Sequence, residues 1–203
     1  KRTKKMRTIT KEIKAYKFNE LSDTAKNNII FGEFNYYSDM LEDDIKIYLD
    51  EVLGLDYSNL EYSISHSQGD GLTFTLDSLK FEDIKDSPCF SSYKKSHLKY
   101  FCDNFHNIVD FEKKNHHYSH ENTYSVTFYD FNFTEYVVNN HRATLFVDKL
   151  HDITSDFKDY YRNMLQDIYR KAIDFQEYYT SEEYIDDTCN CNDYEFTESG
   201  KLI

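Results

Sequence analysis

Proline occurs once and glycine five times in these 203 residues. A chain so poor in both is neither linker-rich nor disordered, and no internal repeat or low-complexity tract interrupts it. Basic residues are also scarce: 24 Lys and Arg stand against 37 Asp and Glu, a formal net charge of −13. The one basic run, Lys1-Arg2-Thr3-Lys4-Lys5-Met6-Arg7, falls in residues 1–10, which read as a frayed terminus. Nucleic-acid proteins present a basic face, so direct nucleic-acid binding is not expected. No apolar run reaches the length of a membrane span, and no apolar signal core follows the basic start. The expectation is a soluble cytoplasmic protein with no membrane contact.

Four cysteines are too few for a disulfide scaffold at this length, which points to a reducing compartment. Cys189-Asn190-Cys191 lacks the second pair of a zinc site, so the cysteines read as structural or incidental. There is no glycine-flanked serine elbow, phosphate loop or Gly-x-Gly-x-x-Gly turn. Enzyme activity is therefore the minority reading, and no cofactor is expected.

Aromatic rings are abundant, with 19 Tyr and 16 Phe. They predict a core built from rings, with hydroxyls reaching its edges. The length fits a single α+β domain over residues 1–203. Its architecture would be an antiparallel sheet of two β-hairpins plus edge strands, packed by N-terminal helices and a long C-terminal helix.

The first hairpin is centred on Ile64-Ser65-His66-Ser67-Gln68-Gly69-Asp70-Gly71-Leu72-Thr73-Phe74. A three-residue loop, Gly69-Asp70-Gly71, would pair Gln68 with Leu72, His66 with Phe74 and Ile64 with Leu76, placing the apolar residues on one face. Gly71 would then take the left-handed position. The second hairpin joins Asn107–Lys114 to Thr123–Phe131 through the histidine-rich turn Asn115–Asn122.

Lys11–Phe18 alternates as a short strand. Ser22 and Ser38 are the expected N-caps of two helices, the second of which stops at Gly54. Lys94–Phe105 reads as a short helix, and Phe81–Tyr93 as irregular. From Ala143 to Tyr179 apolar residues recur every three or four positions, as one helix or as two bent near Thr154-Ser155. Thr180-Ser181-Glu182-Glu183 opens a further helix, and the chain closes on a strand-like segment with a turn.

Two constellations carry functional candidates. If both hairpin turns end on one side, they bring His66, Ser67, Gln68 and Asp70 near His116, His117, Tyr118, His120 and Glu121. Imidazole with carboxylate suits acid–base work. It also suits Zn²⁺, Mn²⁺ or Fe²⁺, with His116, His120 and Glu121 as weak ligand candidates that match no established motif. A third use is recognition of a small anionic ligand such as a nucleotide by rigidly held turns. The second constellation is an acidic surface on the helices: Glu42, Asp43, Asp44 and Asp50 early, Asp152, Asp156 and Asp159 late. Ordinary solvated faces look like this, and so would a surface imitating nucleic-acid charge.

Several segments together resemble a family of phage and prophage accessory proteins of unassigned role. They are Tyr16-Lys17-Phe18-Asn19-Glu20-Leu21-Ser22-Asp23-Thr24-Ala25-Lys26, Ser67-Gln68-Gly69-Asp70-Gly71, Tyr118-Ser119-His120-Glu121-Asn122, Asp167-Ile168-Tyr169-Arg170, Tyr178-Tyr179-Thr180-Ser181 and the closing Asn192-Asp193-Tyr194-Glu195-Phe196-Thr197-Glu198-Ser199-Gly200-Lys201. Members of that family often bear the label "antitoxin of toxin–antitoxin stability system". The chain departs from the pattern around Cys189-Asn190-Cys191. The resemblance implies a protein acting in the bacterial host cytoplasm, with counter-defence as its use. The expected function is a non-enzymatic inhibitor that neutralises a bacterial defence factor or toxin by binding it, its partner thus a host protein. The alternatives are a sponge for a nucleotide signal, or a metal-dependent enzyme at the two turns.

Overall fold

The computed structural model describes residues 12–33, 37–65, 67–113, 119–128 and 141–203. The fold is α+β. Its helices are α1 (Asp23–Asn28), α2 (Tyr37–Ile47), α3 (Phe81–Ile84), α4 (Lys95–Asp103), α5 (Phe105–Ile108), α6 (His141–Tyr179) and α7 (Glu182–Cys191). Its strands are β1 (Tyr57–Ser63), β2 (Gly71–Leu76), β3 (Val109–Lys113) and β4 (Tyr124–Phe128). The chain divides into two compact units, one of residues 1–43 and 174–203 and the other of residues 44–173, with the divisions falling inside α2 and α6.

In the first unit, Phe18, Leu21, Ala25, Ile29 and Ile30 bury against Ile185, Cys189 and Phe196. Ser22 caps α1 as expected, its Oγ accepting from Ala25 N at 3.3 Å. The expected N-terminal strand reduces to one bridge: Tyr16 pairs with Phe196, and Phe196 pairs with Leu202. From Phe18 the chain turns into a 3-10 helix that buries the Phe18 ring, which ends any strand there. Ser181 caps α7, accepting from Tyr184 N at 3.2 Å. Gly200 sits at φ +84°, and a Cβ there would stand 2.5 Å from the Ala25 carbonyl oxygen. Ser38 lies inside α2 rather than ahead of it, because the helix already begins at Tyr37.

The second unit holds both hairpins. Each is its own two-stranded antiparallel sheet, β1 with β2 and β3 with β4. In the second hairpin Val109 faces Phe128, Phe111 faces Val126 and Lys113 faces Tyr124. The first hairpin departs from the expected register. Tyr62 pairs with Leu72 and Tyr57 with Leu76, with a shift between Ser58 and Glu61 where Asn59 adopts φ 53°. The connecting loop is therefore residues 64–70, and Ile64 leaves the ladder. Gly71 belongs to β2 and is not among the positive-φ glycines, Gly54 and Gly200.

Both hairpins rest on α6, which is continuous over 39 residues. The helix runs unbroken through Thr154, whose hydroxyl donates at 2.7 Å to the His151 carbonyl of the preceding turn. Leu150, Ile153, Phe157, Tyr161, Leu165 and Ile168 form the buried stripe of α6 in this unit. Tyr161 meets Phe74 of β2 at 5.9 Å and Phe111 of β3 at 5.1 Å between ring centroids. Phe157 meets Phe101, Phe105 and Phe128. The ring-built core expected from composition is thus present, and the Tyr161 hydroxyl stays inside it, donating to the Phe74 carbonyl. Burial pushes that phenol far above its ordinary pKa, so it remains a donor.

The cysteines are free thiols, with Cys102 and Cys189 buried. Burial pushes the Cys102 thiol up to about 12 and that of Cys189 to about 11, so both are inert as nucleophiles. Among the described residues no helix is long and apolar enough to cross a membrane.

Candidate functional site

The loop between β1 and β2 is organised by one carboxylate. Asp70 is 6% exposed and accepts five hydrogen bonds. Its Oδ2 takes the backbone N–H groups of Ser65 (2.6 Å) and Ser67 (2.7 Å). Its Oδ1 takes the hydroxyls of Ser63 (2.8 Å), Ser65 (2.8 Å) and Ser67 (2.9 Å). Short polar side chains that bond to nearby backbone compete with a strand ladder, and here they end it at Ser63. Burial alone would raise the Asp70 pKa. The donors from Ser67, Ser63 and Ser65 outweigh burial and hold it well below the usual carboxylate range. A carboxylate so committed remains ionised and is not a proton donor near neutrality. Asp70 and Ser67, ligand candidates from the sequence, thus spend their hydrogen-bonding capacity on the loop itself.

The two loops do meet. Ser119 N donates to the Gly69 carbonyl at 3.2 Å. A Cβ on Gly71 would stand 2.6 Å from both His120 Cα and the Ser119 carbonyl oxygen, so glycine is required there by close backbone approach. His120 caps the short 3-10 turn Glu121–Thr123. Its Nδ1 accepts from Asn122 N at 3.2 Å, which leaves the proton of the neutral ring on Nε2. The Thr123 hydroxyl donates to the His120 carbonyl at 2.7 Å. His66, His116, His117 and Tyr118 lie outside the described residues, as does the Glu121 side chain. Among the described residues no three His, Cys, Asp or Glu side chains converge as a metal-ligand set.

Two cavities open beside this junction and share Asn122. One, of about 340 Å³, is lined by Gln68, His120, Asn122 and Thr123. The other, of about 180 Å³, has Asn122, Tyr124, Ser125, Lys158, Tyr161 and Arg162 among its walls. Lys158 and Arg162 come from α6, four residues apart and so on one face, flanking buried Phe157 and Tyr161. The sequence reading missed both, although that spacing places two cations beside the stripe packed on the hairpins. Lys158 Nζ stands 5.2 Å from the Phe128 ring centre. Arg162 reaches Asp159 at 3.5 Å. The junction thus offers amides, an imidazole, Lys158 and Arg162, with the Asp159 carboxylate beside the Arg162 guanidinium and that of Asp70 facing inward.

The acidic surface is less open than the charge count suggests. On α6, Asp152 pairs with Lys149 (2.7 Å), Asp159 with Arg162 (3.5 Å) and Asp167 with Arg170 (2.6 Å). Asp156 accepts the Tyr93 hydroxyl at 2.6 Å. Glu42 and Asp43 on α2, and Asp50 in the π-helical turn that follows, are exposed, whereas Asp44 is half-buried.

The chain matches no protein-family model, none of the curated proteins and no solved structure.

Proposed function

We propose that the chain is a non-enzymatic binding protein that holds a small anionic ligand, of the nucleotide class, at the junction of its two hairpin loops. The observation carrying this reading is the shared wall at Asn122, which joins an amide and imidazole pocket to one bearing Lys158 and Arg162. Amides and imidazole offer directional hydrogen bonds to a base or sugar, and two cations suit a phosphate. The first loop is fastened by Asp70 and tied to Ser119 before any ligand arrives, which lowers the ordering cost of binding. In the setting the family resemblance implies, such a protein acts as a sponge for a nucleotide signal in a bacterial host.

Calorimetry against mononucleotides and cyclic dinucleotides tests the reading. Heat is expected for at least one of them, with at least tenfold weaker binding in Asn122→Ala and in Lys158→Ala/Arg162→Ala. Absence of heat for all of them overturns it. The second reading is a phage-encoded inhibitor that occupies a host defence factor or toxin through its acidic surface. The net charge of −13 and the exposed Glu42, Asp43 and Asp50 favour it. Such binding would weaken steeply with salt. Capture of a host protein by immobilised chain at low salt, retained unchanged at high salt, speaks against it.

A further inference from the structure

A cavity of about 760 Å³ lies in the second unit away from the joined loops, between the entry to α4 and the first turns of α6. Tyr93, Lys94 and His97 wall one side, and Leu145, Phe146, Lys149 and Asp152 the other. The Phe146 ring is fixed by edge contacts with His97 and Tyr100, at centroid distances of 5.2 and 5.1 Å. Leu145 remains 51% exposed beside it, an apolar wall left open. The Tyr93 ring is anchored by its hydroxyl bond to Asp156. Flat and apolar surfaces of this kind receive planar ligands.

The charges around it are uneven. Asp156 keeps its charge while accepting the Tyr93 hydroxyl, and Asp152 is paired with Lys149. Lys94 has no ion pair among the described residues. Burial first, then the ammonium groups of Lys94 and Lys149, disfavour protonation of His97. Lys94 is thus the lining charge left without an opposite partner, and an unpaired ammonium suits an anion.

We infer that this cavity is a second binding site, for a flat aromatic anion of the arenecarboxylate or arenesulfonate class. The ring lies along Phe146 and Leu145, and the acid group stands between Lys94 and His97.

Calorimetry with 2-naphthoate and its neutral counterpart 2-naphthalenemethanol tests this. One naphthoate should bind per chain, with the alcohol at least tenfold weaker. Lys94→Gln, a change at an exposed side chain, should weaken naphthoate at least fivefold, and Phe146→Ala should do the same if circular dichroism shows it folded. Naphthoate should also move the His97 Cε1–H titration to higher pH, a resonance assigned with His97→Gln. Absence of heat, equal affinity for the alcohol, indifference to Lys94→Gln or an unmoved His97 titration each overturns the inference. So does loss of naphthoate binding in Asn122→Ala, which would place the ligand at the joined loops.

Discussion

Replacing Asp70 by asparagine keeps the shape of the side chain and removes its charge. The best the amide can do is aim its oxygen at the Ser65 and Ser67 N–H groups and its NH₂ at the serine hydroxyls. Those hydroxyls must then turn to accept, and two amide protons cannot serve all three of them. Five bonds to a charged acceptor become at most four between neutral groups. Hydrogen bonds to a charged group contribute about 1.5–3 kcal/mol and neutral ones about 0.5–1.5. The bonds form one network, and water can replace part of it at exposed Ser65 and Ser67, so a full sum overshoots. We expect a loss of about 2–4 kcal/mol in the loop's resistance to opening.

Amide exchange reads this directly. The Ser65 and Ser67 N–H groups should exchange about 30- to 1000-fold faster in Asp70→Asn than in the parent, at about 1.4 kcal/mol per tenfold. The pH dependence has a definite sign. The folded pKa lies below the unfolded value of 3.8, so the stabilisation is complete above that value and is lost as pH falls through the folded pKa. Asparagine does not titrate, so the gap between the two proteins should narrow as pH drops below about 4. Exchange rates within about threefold of each other at neutral pH would refute the idea that Asp70 holds the loop.

Three further changes probe the frame. Gly71→Ala should destabilise by about 1–3 kcal/mol in urea unfolding and weaken nucleotide binding, because its methyl group needs the space of the His120 backbone. Thr73 is fully buried with its Oγ1 unpaired, so Thr73→Val should leave stability unchanged or raise it by up to about 1 kcal/mol in the same assay. Ser181→Ala should cost about 1 kcal/mol, seen as a lower melting temperature, since it removes the cap of α7.

The elements that could be read from sequence are those decided by local pattern. The apolar spacing from Leu150 to Tyr179 specifies α6 because its stripe has one periodicity throughout. Ser22 and Ser181 act at the helix starts where their types belong. The register of the first hairpin was not readable in this way. Alternation from Ile64 onward favours a tight loop, but a buried carboxylate flanked by three serines offers the backbone better partners than the ladder does. Gly71 answers a close backbone approach, not the left-handed turn position that its type suggests. The sequence leaves open whether the two hairpin loops meet, and Lys158 and Arg162 enter the site from a helix about ninety residues from the first loop. The cavity at His97 brings together segments near residues 95 and 147, a pairing that no local pattern encodes.

The serine cage has a property that distinguishes it from the rest of the molecule. Every donor to Asp70 lies within seven residues of it, so Ser63-x-Ser65-x-Ser67-x-x-Asp70 is a local spelling of the carboxylate's cage. A shape written so locally is portable. Grafted between the strands of an unrelated antiparallel hairpin, the eight residues carry their own instructions, and the same spelling elsewhere marks a place to look for the same fold of backbone.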